Sequence, residues 1–266
     1  MAKHTPGSFC MHPRPAARAP ARPPGLEFAV LAQPLPPVDA FGVPHLLALL
    51  ATALTALGLS LGLRRTADPR VEYGVRAGLA ALLVGGTTAH VFWVIEHRGT
   101  GVWEFIPLHL CDLSIFVALW ILLTKRRLAA EVLYFWTCSG TALAMVLPAI
   151  DRGYPSSRFF IYFALHGGVV VTAVVAIYGL RLYPDRRSPL RAYAITLMYM
   201  AAVGVVDFAS GQNYLFLAHK PDTATLLDYF GPWPVYIIVA LAIGLGLFFL
   251  LGLPFRGRAP TTAAAS

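Results

Sequence analysis

The chain has 266 residues, a formal charge of +8 and a pI near 9.7, with 57% hydrophobic and 13% charged residues. A soluble domain carries about 25% charged residues, so this balance, with a mean hydropathy of +0.65, excludes an ordinary soluble fold and fits a polytopic membrane protein. The basic surplus alternates from loop to loop as membrane orientation requires, which removes the argument for a nucleic-acid partner.

Residues 1–42 are rich in Pro, Ala and Arg, as in Pro13-Arg14-Pro15 and Pro34-Leu35-Pro36-Pro37. The stretch has no apolar run of signal-peptide length and is neither a cleavable signal nor a span. Its composition cannot bury a core, so disorder is expected, and Met11 stands as an alternative start. Seven apolar stretches follow at 43–63, 74–95, 106–124, 129–150, 159–180, 191–209 and 233–253. Each approaches the roughly 20 residues that cross a hydrocarbon core. The expected organisation is therefore all-α: a disordered tail at 1–42, a seven-helix transmembrane domain at 43–253 and a short disordered cytoplasmic tail at 254–266.

The first span opens Phe41-Gly42-Val43-Pro44-His45, with proline in a first helical turn where its missing N–H costs nothing. The second carries Gly78, Gly85 and Gly86, small enough for helices to approach closely, and ends near His90, Trp93 and Glu96. Trp93 and Trp103 fit an interfacial aromatic belt. The third span starts at Pro107 and runs to Lys125-Arg126-Arg127; the fourth returns through Trp136, Cys138 and Met145. The fifth places His166-Gly167-Gly168 two turns in, on the order of 10 Å below the surface. The sixth ends in a polar stretch containing Asp207, Asn213 and Tyr214. The last span has no polar side chain after Tyr236 and reads as a lipid-facing wall.

Thirteen Lys and Arg flank the first, third and fifth loops and the end of the last span, against four in the second, fourth and sixth loops. The N-terminus is therefore expected outside and the C-terminus inside. In that register His45, His90, Glu96, His109, Cys111, Asp112, Asp151, His166, Asp207 and Asn213 all fall in the outer half or outer loops. Ionisable groups at membrane depth are expensive and mark function, so an outward polar cavity is expected. Three cysteines, Cys10, Cys111 and Cys138, are too few for a disulfide framework, and Cys138 reads as a packing residue.

The densest polar stretch is Ile106-Pro107-Leu108-His109-Leu110-Cys111-Asp112-Leu113-Ser114. His109 and Asp112, three apart, share a helix face. Cys111 sits in a first turn, where free N–H groups favour an anion, a setting for a nucleophilic sulfur and an oxyanion. His166 on another helix is the candidate base, with Asp112 or Asp207 orienting it. His45, His90, Asp207, Asn213 and Tyr214 are candidate substrate-binding residues. Equally, a histidine near the interface is inexpensive, and Asp207 and Asn213 suit a helix end or a loop. His109, Cys111, Asp112 and His166 include zinc-ligand types, but no paired ligand spacing occurs, and no metal or other cofactor is expected. A retinal Schiff base is excluded, because Lys3, Lys125 and Lys220 all lie outside the spans.

The segments Pro107-Leu108-His109-Leu110-Cys111-Asp112, Asn213-Tyr214 and Leu227-Asp228-Tyr229-Phe230-Gly231-Pro232-Trp233-Pro234, with the opening at Phe41, together resemble the YwaF-like family of bacterial integral membrane proteins. That family in turn is similar to the eukaryotic transmembrane protein 164 acyltransferases, which remodel phospholipids through a cysteine. The resemblance implies a multi-pass protein of the bacterial inner membrane, with Cys111 in the matching H-x-C motif and His166 as the matching histidine. It implies membrane lipids as partners, phospholipid and lysophospholipid among them. The expectation is thus a phospholipid acyltransferase or lipid hydrolase working at the outer half of the bilayer. The alternatives are a transporter or solute-binding protein with an outward polar cavity and no covalent chemistry, or a structural member of a membrane complex.

Overall fold

The computed structural model describes residues 37–66, 68–98, 103, 105–148, 150–221 and 225–257. Residues 1–36, with Cys10, and 258–266 fall outside the described residues, and with them most of both expected tails. Among the described residues all regular structure is helical. The helices are α1 (Val43–Arg65), α2 (Pro69–Arg98), α3 (Leu110–Thr124), α4 (Arg127–Val146), α5 (Ser157–Gly179), α6 (Ser188–Ser210) and α7 (Val235–Gly252). Six are long and apolar enough to cross a membrane; α3 is the exception.

The helix boundaries follow local chemistry. Pro44 and Pro189 occupy the first turns of α1 and α6. The Ser156 hydroxyl accepts from the Phe159 N–H at 3.2 Å and caps α5. Gly211, at φ +71°, ends α6 in the left-handed region that glycine enters without strain. The third apolar stretch gives a shorter helix than the 106–124 expected. Pro107 disfavours helix at Ile106, the Leu108 N–H turns back to the Ile106 carbonyl at 3.0 Å, the chain is non-helical to His109, and α3 has 15 residues. At 1.5 Å per residue it is about 22 Å long, short of the roughly 30 Å core.

α4 and α5 form the interior, with 56% and 61% of their apolar windows buried, whereas α1 is 11% buried and α6 and α7 are 17% buried. α5 packs against α1, α2, α3 and α4. Glycines permit this. A Cβ at Gly167 would lie 2.8 Å from Thr52 Oγ1 on α1, and one at Gly168 would lie 2.9 Å from Leu83 on α2. On α2, Gly86 meets Leu165 in the same way, whereas Gly78 and Gly85 face open space. Trp93 is 5% exposed and packs inside, not in an exposed belt; Trp103 is exposed.

At one end of the bundle the basic residues converge. Arg76 donates to the Leu122 and Leu123 carbonyls at 2.6 and 2.9 Å, satisfying the end of α3. Lys125 pairs with Glu72 at 3.0 Å, Arg64 with the Tyr183 hydroxyl at 2.6 Å, and Arg186 donates to the Arg256 carbonyl at 2.6 Å. Glu131, 1% exposed, is held by Arg127 at 2.9 Å and Arg191 at 2.7 Å, and both arginines also reach Asp185. Burial pushes the Asp185 carboxyl up, but hydrogen bonds from Arg191 and the Arg187 N–H and the charges of Arg191 and Arg127 outweigh it, holding it at about 2.

Candidate active site

At the other end of the bundle, four helices surround a cavity of about 100 Å³. His90 comes from α2, Cys111 and Asp112 from α3, Thr141 from α4, and Arg158, Tyr162 and His166 from α5. Ile115, Ile161, Leu165 and Val169 complete the wall. That volume admits a few waters or one functional group of a larger molecule. Polar groups in an apolar bundle cost free energy unless they have partners, which makes this wall the candidate site.

His166 is fixed from two sides. Its ring stacks on Tyr162 with centroids 4.0 Å apart at 26°, and its Nδ1 lies 3.0 Å from the Tyr162 carbonyl. A carbonyl only accepts, so Nδ1 carries the hydrogen and the neutral ring keeps its lone pair on Nε2. The Tyr162 hydroxyl donates to the Ala144 carbonyl at 2.7 Å, tying this pair to α4. The orienting role that the sequence suggested for Asp112 or Asp207 thus falls to a backbone carbonyl.

Cys111 is the second residue of α3, with His109 as N-cap in extended conformation. Thr141 lines the cavity with the thiol. It comes from the end of a π-helical turn, Thr137–Thr141, inside α4. One extra residue per turn rotates the remainder of the helix relative to a regular α-helix, and such turns recur at functional sites. Asp112 lies beside the sulfur and within electrostatic reach of Arg158 and His109.

Arg158 is an element that sequence reading counted only among loop charges. It hydrogen-bonds His90 Nδ1 at 3.1 Å, and its guanidinium lies 4.5 Å above the Trp93 ring, a cation–π geometry. Arg158, Tyr162 and His166 are spaced four apart, so one stripe of α5 supplies a guanidinium, an aromatic ring and an imidazole to the cavity. That spacing was visible in the sequence.

Other expected site residues lie elsewhere. His45 is 1% exposed; its Nδ1 accepts from the Phe41 N–H at 2.8 Å and its Nε2 donates to the Met145 carbonyl at 2.8 Å. Both nitrogens are used in joining α1 to the end of α4. Asp207 accepts from the Tyr214 N–H at 2.9 Å, and the Tyr214 hydroxyl donates to the Trp103 carbonyl at 2.9 Å. Asn213 accepts from the Ala218 and His219 N–H groups at 3.0 and 3.2 Å. These three residues order the chain after α6. His109 stands between the groups, with its ring edge-on to Tyr214 at 5.4 Å and within electrostatic reach of Asp112. Cys138 is exposed, not packed inside. Among the described residues no three His, Cys, Asp or Glu side chains converge to hold a metal ion.

Membrane-length apolar helices around a cavity walled by His, Cys, Asp and Arg define a multi-pass helical membrane protein with a polar internal site. The chain belongs to the TMEM164 family, which it matches over residues 40–252. An uncharacterized protein of Treponema pallidum (strain Nichols) is 25% identical over 152 residues, which is 57% of this chain. The match spans 62% of that relative's own length, less than two thirds. No solved structure matches the chain.

Proposed function

We propose that the cavity is an acyl-transfer site and that the protein is a phospholipid acyltransferase or lipid hydrolase with Cys111 as nucleophile. The observation that carries this is the shared cavity: a cysteine in a helix's first turn and an oriented histidine face one small void. Membership of the TMEM164 family, and the resemblance of its motifs to the YwaF-like proteins, support the same reading. In topology the seven helices span with the N-terminus outside and the C-terminus inside, in a bacterial inner membrane. α3 completes the seventh crossing with its non-helical lead-in, and the charge-rich end faces the cytoplasm.

Cys111 Sγ attacks the carbonyl carbon of a glycerolipid ester while its proton passes to His166 Nε2. The first N–H groups of α3 receive the oxyanion. Collapse breaks the ester C–O bond, and His166 returns the proton to the leaving alkoxide. This leaves a thioester on Cys111 and a free lysolipid. The hydroxyl of a second lysophospholipid, or water, then attacks the thioester, giving its proton to His166, which restores it to the departing sulfur. His90 and Arg158 hold the anionic end of the substrate, and Asp112 and His109 set the charge around it.

Purified protein given a labelled phospholipid, with and without lysophospholipid, tests the proposal. Wild type should move label to the acceptor or release it as fatty acid. Cys111→Ala should lose at least about a thousandfold in turnover with its melting temperature kept. Full turnover by a folded Cys111→Ala protein would refute covalent catalysis. Saturable binding of a small polar solute with no acyl movement would instead make the cavity a solute site.

A further inference from the structure

The cavity beside Cys111 has a neighbour. A second recess of about 200 Å³ lies between α2 and α3 and shares His90, Asp112, Ile115 and Leu165 with the first. Its remaining wall is largely apolar, and its lip includes Val91 and Phe116, which are 37% and 48% exposed on the outer surface of the bundle. Ile106 and Pro107, in the non-helical lead-in to α3, are also in its wall.

The seams around the site differ in how tightly they shut. Between α5 and α1 the backbone at Gly167 meets Thr52, and between α5 and α2 the glycines Gly168 and Gly86 meet Leu83 and Leu165, each too closely for an added Cβ. The α2–α3 seam is pinned at the charge-rich end by Arg76 on the Leu122 and Leu123 carbonyls. The recess lies at the opposite end of that seam, where the non-helical segment before α3 replaces what would have been its first turns.

We infer that the α2–α3 recess is a lateral portal, through which the acyl chain of a bilayer glycerolipid enters so that its ester reaches Cys111. This rests on the acyl-transfer reading. The occupant is an acyl chain because the recess, beyond the polar residues it shares with the cavity, is walled mainly by apolar side chains and opens beside Val91 and Phe116 on the apolar outer surface of α2 and α3. Such a face meets lipid tails, not water. The site thus takes its substrate from within the leaflet, with the polar headgroup left towards His90 and Arg158 and the tail trailing between α2 and α3.

The test compares two substrates on wild type and on Val91→Trp, a change at an exposed lip position that leaves the core unfilled. One substrate is a long-chain phosphatidylcholine in nanodiscs; the other is a water-soluble short-chain ester. The portal predicts that Val91→Trp lowers the ratio of long-chain to short-chain turnover by about tenfold or more. Leu46→Trp, on exposed α1, should leave that ratio at the wild-type value. An unchanged ratio in Val91→Trp overturns the portal while leaving Cys111 chemistry intact. Loss of neither substrate's turnover in Cys111→Ala sinks the acyl-transfer reading instead. A mid-chain diazirine phosphatidylcholine gives a second readout that needs no turnover. It should label the α2 and α3 lip in both wild type and Cys111→Ala. Labelling confined to the larger apolar recess that Trp136, Tyr193 and Phe248 line among α4, α6 and α7 overturns the portal.

Discussion

At the charge-rich end, Glu131 is buried with both carboxylate oxygens engaged, by Arg127 and Arg191, and Asp185 joins the same two arginines. At the cavity end, His166 has one nitrogen engaged and a second with no protein hydrogen bond among the described residues, in a wall that also holds a thiol and a carboxylate. Both ends bring ionisable groups into an apolar bundle. One end satisfies them with each other; at the other, Arg158 and His90 pair while the free nitrogen of His166 faces a void with the thiol and the carboxylate. Burial of charge alone therefore does not identify function. What distinguishes the two is whether the polar atoms are consumed by neighbours.

Breaking each end should have opposite signatures. The largest effect on folding is expected from Glu131→Gln, which leaves two arginines facing a neutral amide. Removing one partner of a buried pair costs about 3–5 kcal/mol. The low end applies here because Asp185 still contacts both arginines. Thermal melting in detergent should show this loss, while turnover per folded molecule is kept. His166→Gln should do the reverse, lowering turnover by about a hundredfold or more through loss of the base, with melting little changed. Tyr162→Phe sharpens the contrast further. It removes one hydrogen bond to Ala144, worth about 1 kcal/mol, and should lower kcat about fivefold by loosening the base without touching substrate.

The smallest effect is in pH. Asp185 is depressed when folded, from an unfolded value of about 3.9 to about 2. Its contribution is therefore fully present above about pH 4 and is lost as pH falls towards 2. Asp185→Asn should flatten the fall in melting temperature across that window. An unaltered pH profile would mean that the arginines are held by Glu131 alone.

Much of the helical architecture was legible because apolar length is a property of the sequence itself. Six helices fall within or around the stretches expected, and the missing length is in the third, where Pro107 delays helix until Leu110. The site was legible in part. Cys111, Asp112, His90 and His166 come together on one cavity as depth suggested. His45 shares that depth, but the Phe41 N–H and the Met145 carbonyl take both its nitrogens, and depth alone carries no information about such partners. Asp207, Asn213 and Tyr214 are similarly used in ordering a loop. Arg158 was masked by its place at a helix start, where an arginine reads as an interfacial charge; only the four-residue spacing to Tyr162 and His166 would have joined it to the site. The π-helical turn that presents Thr141 leaves no residue signature that periodicity could detect.

The most direct measurement is the mass of cysteine-containing peptides from wild-type protein incubated with phospholipid and quenched before turnover is complete. Cys138 serves as an internal control, since it is the more exposed thiol. The account predicts a hydroxylamine-labile acyl group on Cys111, absent from Cys138 and greatly reduced in His166→Gln. Acylation of Cys138 in place of Cys111, or turnover with no acyl adduct on Cys111 at any quench time, would contradict it.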